Sequence, residues 1–145
     1  MANVGPKANI LKVSAKLKKA LVGAGTLKHV DPDQLLFDVD QENTGVFLVA
    51  KGKVRLWVME YPKLDRDFSS GSLLGVPATF TGHRYSLGAT AVTVTDVVHV
   101  DRESFLNLMT QQPELCREAT DMLSREVSFI QSALAERRRA RGEHE

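Results

Sequence analysis

The chain has 145 residues, a formal net charge of +1 and 43% hydrophobic residues, enough for one domain with a buried core. That balance makes no strong demand for a nucleic-acid or acidic partner. The one cysteine, Cys116, excludes an intrachain disulfide and a cysteine zinc cluster and fits a reducing compartment. No apolar run reaches the length of a membrane span and no signal peptide is evident, so a cytoplasmic protein without membrane contact is expected.

The first 25 residues read as a helical segment. Ile10, Val13, Leu17 and Leu21 recur at helical spacing, with Lys12, Lys16 and Lys19 off the stripe and Gly23 and Gly25 ending it. From Lys7 to Lys28 there are six lysines and no acid, which reads as a solvated face.

From residue 26 to residue 101 the texture changes to short β-like runs. Expected strands are Thr26–Val30, Gln34–Phe37, Val46–Ala50 and Lys53–Met59. Asp31-Pro32-Asp33 is the first turn, and Gly52 suggests a tight hairpin between the third and fourth strands. Val54, Leu56 and Val58 alternate with Lys53, Arg55 and Trp57, so one face of the fourth strand is expected to be buried. Tyr61 to Ser70 reads as a polar connection, Ser72 to Leu74 as a short strand, and Pro77 to Phe80 as one helical turn. Ser86–Val94 and Val97–Val100 are further strands, joined by a Thr95-Asp96 turn. Many short strands at regular spacing predict a sandwich, barrel or roll.

Residues 102 to 145 read as helical. Asp101 suits the N-cap of Arg102–Met109, and Pro113 suits the first position of a long helix over about 114–138. Cys116, Thr120, Leu123, Val127, Ile130 and Leu134 alternate at spacings of four and three, a heptad seam. Leu123, Val127, Ile130 and Leu134 are therefore candidates for a homodimer interface. A helix packed only on its own roll would show a similar stripe. Cys116 reads as a buried small hydrophobe on this helix. Arg137, Arg138, Arg139 and Arg141 form a basic tail.

No catalytic or metal constellation is present. No two of His29, His83, His99 and His144 lie three or four residues apart, and His99 reads as a strand surface residue. A Gly-x-Ser-x-Gly elbow is missing, and Gly71-x-x-x-Gly75 is not followed by the Gly-Lys-Ser/Thr of a phosphate loop. The expectation is a protein that is not an enzyme and holds no metal or resident cofactor.

Residues 71–91 stand out. Gly71-Ser72-Leu73-Leu74-Gly75-Val76-Pro77-Ala78 runs from strand to helical turn, where backbone amides can meet an anion, and Arg84-Tyr85-Ser86 brings a cation and two hydroxyls on the returning loop. Together with the segment Val46–Leu56, with Asp101-Arg102-Glu103-Ser104-Phe105 and with Pro113-Glu114-Leu115, this order resembles the effector domain of the catabolite activator / fumarate-nitrate regulator family, within the cyclic-nucleotide-binding superfamily. The resemblance covers about Leu21 to Arg138. It implies a mainly β fold, a jelly-roll-like β-roll (double-stranded β-helix) with an N-terminal helix and a long C-terminal helix. It also implies a regulatory sensing and dimerisation module.

In that family residues 71–91 would be the phosphate-binding cassette, and Gly75, Val76, Pro77, Ala78, Arg84, Tyr85 and Ser86 would be its ligand-binding residues. Nucleotide-binding members carry a Glu for the ribose hydroxyl where this chain has Val76. They carry an Arg for the cyclic phosphate where it has Tyr85; Arg84 lies one residue early, which on a strand turns a side chain to the opposite face. The resemblance therefore implies a degenerate nucleotide pocket. The alternatives are a functional cyclic-nucleotide (cAMP or cGMP) domain with Arg84 bent in, an unidentified small-molecule effector, or a ligand-free interaction module. The helix-turn-helix that follows the long helix in family regulators is absent from these 145 residues, so no sequence-specific DNA binding is expected of this chain alone.

Overall fold

The computed structural model describes residues 10–58, 60–140 and 142; Lys7, Met59, Arg141 and His144 lie outside the described residues. Helix α1 spans Ala15–Ala24. Strands follow at β1 Thr26–Val30, β2 Leu35–Phe37, β3 Gly45–Lys51, β4 Lys53–Trp57, β5 Arg66–Ser69 and β6 Leu73–Leu74. Helix α2 is Val76–Thr81, β7 Gly88–Ala91 and β8 Thr95–Asp101, and helices α3 Arg102–Gln111 and α4 Pro113–Ala140 close the chain.

The strands form two antiparallel four-stranded sheets, ordered β1-β8-β3-β6 and β2-β7-β4-β5. Of the consecutive strand pairs, only β4 and β5 are neighbours in one sheet. The others cross from sheet to sheet, which is the jelly-roll arrangement expected from the run of short strands.

Gly52 accordingly turns a corner rather than a hairpin. β3 pairs with β6 and β8, β4 with β5 and β7, and never with each other. The sequence signature of a corner and of a hairpin is the same glycine. What decides is the neighbouring crossing from β7 to β8, which stacks on it. The Lys53 amide reaches Thr93 Oγ1 at 3.1 Å, and Thr95 Oγ1 donates to the Lys53 carbonyl at 3.2 Å. Gly52 has a φ of 99°, and a Cβ there would lie 2.5 Å from the Val94 carbonyl oxygen.

Several element boundaries differ from expectation. α1 begins at Ala15, with Ser14 Oγ accepting from the Leu17 amide at 3.1 Å, and runs through Gly23 to a cap at Gly25. Ile10 and Val13 lie before it. The turn between the last two strands falls at Val92 to Val94, so Thr95 and Asp96 open β8. The connection Tyr61 to Ser70 contains a 3-10 turn at Pro62–Leu64 and the unexpected strand β5. Its polar residues are paired across space: Arg55 Nε and Nη2 hold Asp67 at 2.7 and 3.1 Å on the neighbouring β4.

The β1-β8-β3-β6 sheet is buried on both faces, with Phe47, Val49 and Val97 on one and Val46, Leu48, Val98 and Val100 on the other, and α1 and α3 pack against its strands; Val54, Phe68 and Leu73 join the same core. Val54 and Leu56 are buried and Lys53 and Arg55 exposed, as their alternation predicts. Asp101 caps α3, its Oδ1 accepting from the Ser104 amide at 2.9 Å. Glu118 of α4 accepts from Ser14 N and Ser14 Oγ, both at 2.7 Å, and Lys16 pairs with Glu114, fastening α1 to the long helix.

α4 buries Leu115, Ala119, Met122 and Glu126 against its own domain. The heptad seam is the adjacent stripe. Val127 is 39% exposed, Thr120 is exposed, and Cys116, Leu123, Ile130 and Leu134 are half-buried. Cys116 is thus not fully buried.

Candidate functional site

The segment 71–91 wraps one end of the roll. Gly75 precedes α2 with a φ of 88°, and a Cβ there would meet the Gly45 carbonyl at 3.2 Å and Tyr85 Cε1 at 3.3 Å. Its carbonyl accepts from Thr79 N at 3.1 Å and from Thr79 Oγ1 at 2.7 Å, closing the short helix on itself. Pro77 stands in the first turn, so that position has no amide to offer an anion.

Tyr85 is 2% exposed and turned inward. Its ring stacks on Phe37 at a centroid distance of 4.0 Å. Its hydroxyl donates to the Gly45 carbonyl at 2.6 Å and accepts from the Thr44 and Gly45 amides at 3.1 and 3.2 Å. The phenol therefore props the β3 entry rather than presenting a charge. Val76 is 1% exposed and apolar at the neighbouring position.

Arg84 faces outward. Its Nη1 donates to the Asp40 carbonyl at 2.9 Å and its Nη2 lies 3.9 Å from Glu42 Oε2. The backbone fixes this orientation, since Tyr85 N bonds to the Gln41 carbonyl and Asp40 N to the Tyr85 carbonyl.

A cavity of about 40 Å³ remains between this segment and α4. Of the expected ligand-binding residues, Gly75, Val76, Pro77, Ala78, Tyr85 and Ser86 line it, and Arg84 does not. Leu11, Phe37, Leu56, Leu73, Leu87 and Met122 complete an apolar wall, joined by one acid, Glu126.

Glu126 is the residue that sequence reasoning missed. Its carboxylate is gripped by a two-pronged fork from β5: Arg66 Nη1 to Oε1 at 2.8 Å and Nη2 to Oε2 at 2.7 Å, with side-chain exposures of 9% for Arg66 and 5% for Glu126. The guanidinium lies 4.4 Å from the Phe129 ring centre and 5.4 Å from that of Phe68. The spacing Leu115, Ala119, Met122, Glu126 carried the signal: an acid falls where the inward stripe calls for an apolar residue.

Among the described residues no group of three His, Cys, Asp or Glu side chains could hold a metal ion. No helix there is long and apolar enough to cross a membrane. His99 is not simply a surface residue. It is half-buried against Phe47, ring centres 4.7 Å apart, with Nε2 2.9 Å from the Thr44 carbonyl, and burial holds its pKa below the usual histidine value.

Comparison with known proteins agrees with this fold. The family model described as "Cyclic nucleotide-binding domain" matches residues 27–112. The catabolite activator protein of Thermus thermophilus superposes with a TM-score of 0.72 at 21% identity, over 85% of this chain and 59% of that one. A structure from a cyclic-GMP-dependent signalling pathway that regulates bacterial phytopathogenesis gives a TM-score of 0.71 at 20% identity, over 83% of this chain and 96% of that one. A transcriptional regulator of Thermotoga maritima gives 0.69 at 17% identity, over 81% and 94%. No curated protein matches by sequence. This chain thus spans 59% of the Thermus activator's length and nearly all of two other solved relatives. With a family model matching more than half of its length, the chain belongs to the cyclic nucleotide-binding domain family.

Proposed function

We propose that the protein is a regulatory sensing and dimerisation module whose nucleotide pocket has changed its chemistry. The observation that carries this reading is the inward Tyr85, which spends its hydroxyl on Gly45 in the place where nucleotide-binding relatives hold an arginine. Val76 offers no acceptor for a ribose, and Arg84 is committed to Asp40 on the outer surface. Each lost charged hydrogen bond forfeits about 1.5–3 kcal/mol, so two together weaken a cyclic nucleotide by roughly 10²–10⁴-fold. Titration calorimetry with cAMP and cGMP is expected to give little or no heat of binding; micromolar affinity overturns the reading.

The pocket's position supports a sensing role. Met122 and Glu126 belong to α4, while Tyr85 and Leu73 belong to the roll, so an occupant touches both. The stripe of exposed Val127 and half-buried Leu123, Ile130 and Leu134 runs beside that inward face and suits a second copy of the same helix. Light scattering is expected to give a dimer that Val127→Glu converts to monomer. A wild-type monomer at high concentration removes the dimerisation half of the proposal.

Two of the solved relatives, a catabolite activator and a protein of a cyclic-GMP-dependent signalling pathway, favour control of gene expression or signalling over catalysis. A second reading, a ligand-free interaction module, draws on the same inward Tyr85. The cavity of about 40 Å³ that it leaves open favours the first.

A further inference from the structure

Among the described residues that line the pocket, Glu126 is the only formally charged one. Each carboxylate oxygen has two acceptor sites, and the Arg66 fork uses one on each. Among the described residues that fork is the carboxylate's only hydrogen bonding, so acceptor capacity remains. The opposite side is shut: the guanidinium is covered by Phe129 and Phe68, and Arg66 Nε is buried with no partner among the described residues.

We propose that this pocket takes a small, uncharged, mainly apolar molecule that presents one N–H or O–H donor to Glu126. An anion would meet a carboxylate or would have to evict it from Arg66. A cation would be stripped of water to approach a pair whose charges already cancel. A neutral donor needs only a free acceptor site, and the bond it makes is charge-assisted. The apolar body is matched by Phe37, Leu56, Leu73 and Met122. At about 10–15 Å³ per water, a cavity of about 40 Å³ holds roughly three waters, the space of a single small ring. This inference rests on the sensing reading above and names the chemistry that the sensor recognises.

The test compares phenol with toluene, which have one shape and differ by the donor. Both are titrated into the full 145-residue protein and into Arg66→Met/Glu126→Leu, with binding followed by NMR shifts. The double variant replaces the pair by apolar side chains of similar size, a change that buried pairs commonly tolerate. The phenol-to-toluene affinity ratio is expected to be at least about tenfold higher in wild type, the effect of one charge-assisted hydrogen bond. Equal ratios refute the proposal, and so does a wild-type protein that binds neither probe. Glu126→Gln keeps the shape without the charge and is expected to give an intermediate ratio. A wild-type ratio in that variant refutes the proposal even where the double variant does not fold. Failure here leaves the sensing module to be judged by its own α4 self-association and nucleotide titrations.

Discussion

Tyr85→Phe removes one oxygen and leaves the rest of the site in place. The ring keeps its stack on Phe37 at 4.0 Å, so packing volume is conserved. What goes is the acceptor for the Thr44 and Gly45 amides and the donor to the Gly45 carbonyl. Thr44 is exposed and its amide recovers water, whereas Gly45 is buried. A buried group left without a partner costs about 1–3 kcal/mol. With two such groups at Gly45, the loss is about 2–6 kcal/mol. That is a large share of the roughly 5–15 kcal/mol of an ordinary domain. Urea unfolding of the two proteins measures it, with an unchanged slope expected because the exposed area on unfolding is the same. A loss below about 0.5 kcal/mol refutes the argument, because the hydroxyl would then be no strut. Tyr85→Arg, the family's residue, is expected to destabilise further, since the guanidinium enters an apolar wall without the ligand that would neutralise it.

Two other outcomes follow from the buried groups. Glu126→Leu strands Arg66 and is expected to cost about 3–5 kcal/mol, while Arg66→Met/Glu126→Leu recovers most of it; denaturant midpoints decide, and additive losses refute the pairing argument. His99 has its pKa lowered by burial, so its contribution is present above the unfolded value of 6.5 and lost as pH falls through the lower folded value. His29 carries the opposite sign. Its pKa is raised by hydrogen bonds to Asp96 and Asp31, so its contribution is present below 6.5 and lost as pH rises through the folded value. Stability of His99→Gln measured from about pH 8 to about pH 5 is expected to fall less than that of wild type on acidification, and identical curves refute it.

Where one residue's chemistry fixes its local structure, the sequence was a sufficient guide. Asp101 and Pro113 open their helices as expected, and β4 buries Val54 and Leu56 by strict alternation. Where a partner far along the chain decides, it was not. β5 reads as a loop because Arg66 and Asp67 are polar, yet each is neutralised from another element, by Glu126 and by Arg55. Gly52 reads as a hairpin because the strand stacking that makes it a corner belongs to residues 92–95. α4 carries two adjacent stripes one residue apart. The seam beginning at Cys116 is visible as spacing, but that the roll claims Leu115, Ala119, Met122 and Glu126 instead depends on where the helix docks.

The site follows the same logic. The cassette segment was legible because glycines, a proline and a short polar loop are local signals, and six of its seven named residues do line the cavity. The charge that gives the pocket its character was hidden, because its two halves lie 60 positions apart. In a nucleotide-binding relative the polar grip would come from the cassette itself. Here the cassette supplies isopropyl and phenol, and on the proposed reading the grip moves to an acid on the helix, held by an arginine on the sheet. That relocation has a mechanical consequence on the proposed function. Glu126 and Val127 are successive residues of a rigid helix, one facing the pocket and the other the exposed seam. Val127 lies about 100° around the helix axis from Glu126, so any rotation of the helix that an occupant produces turns Val127 through the same angle. Recognition and helix pairing would then share a single rigid element, without a relay through the cassette.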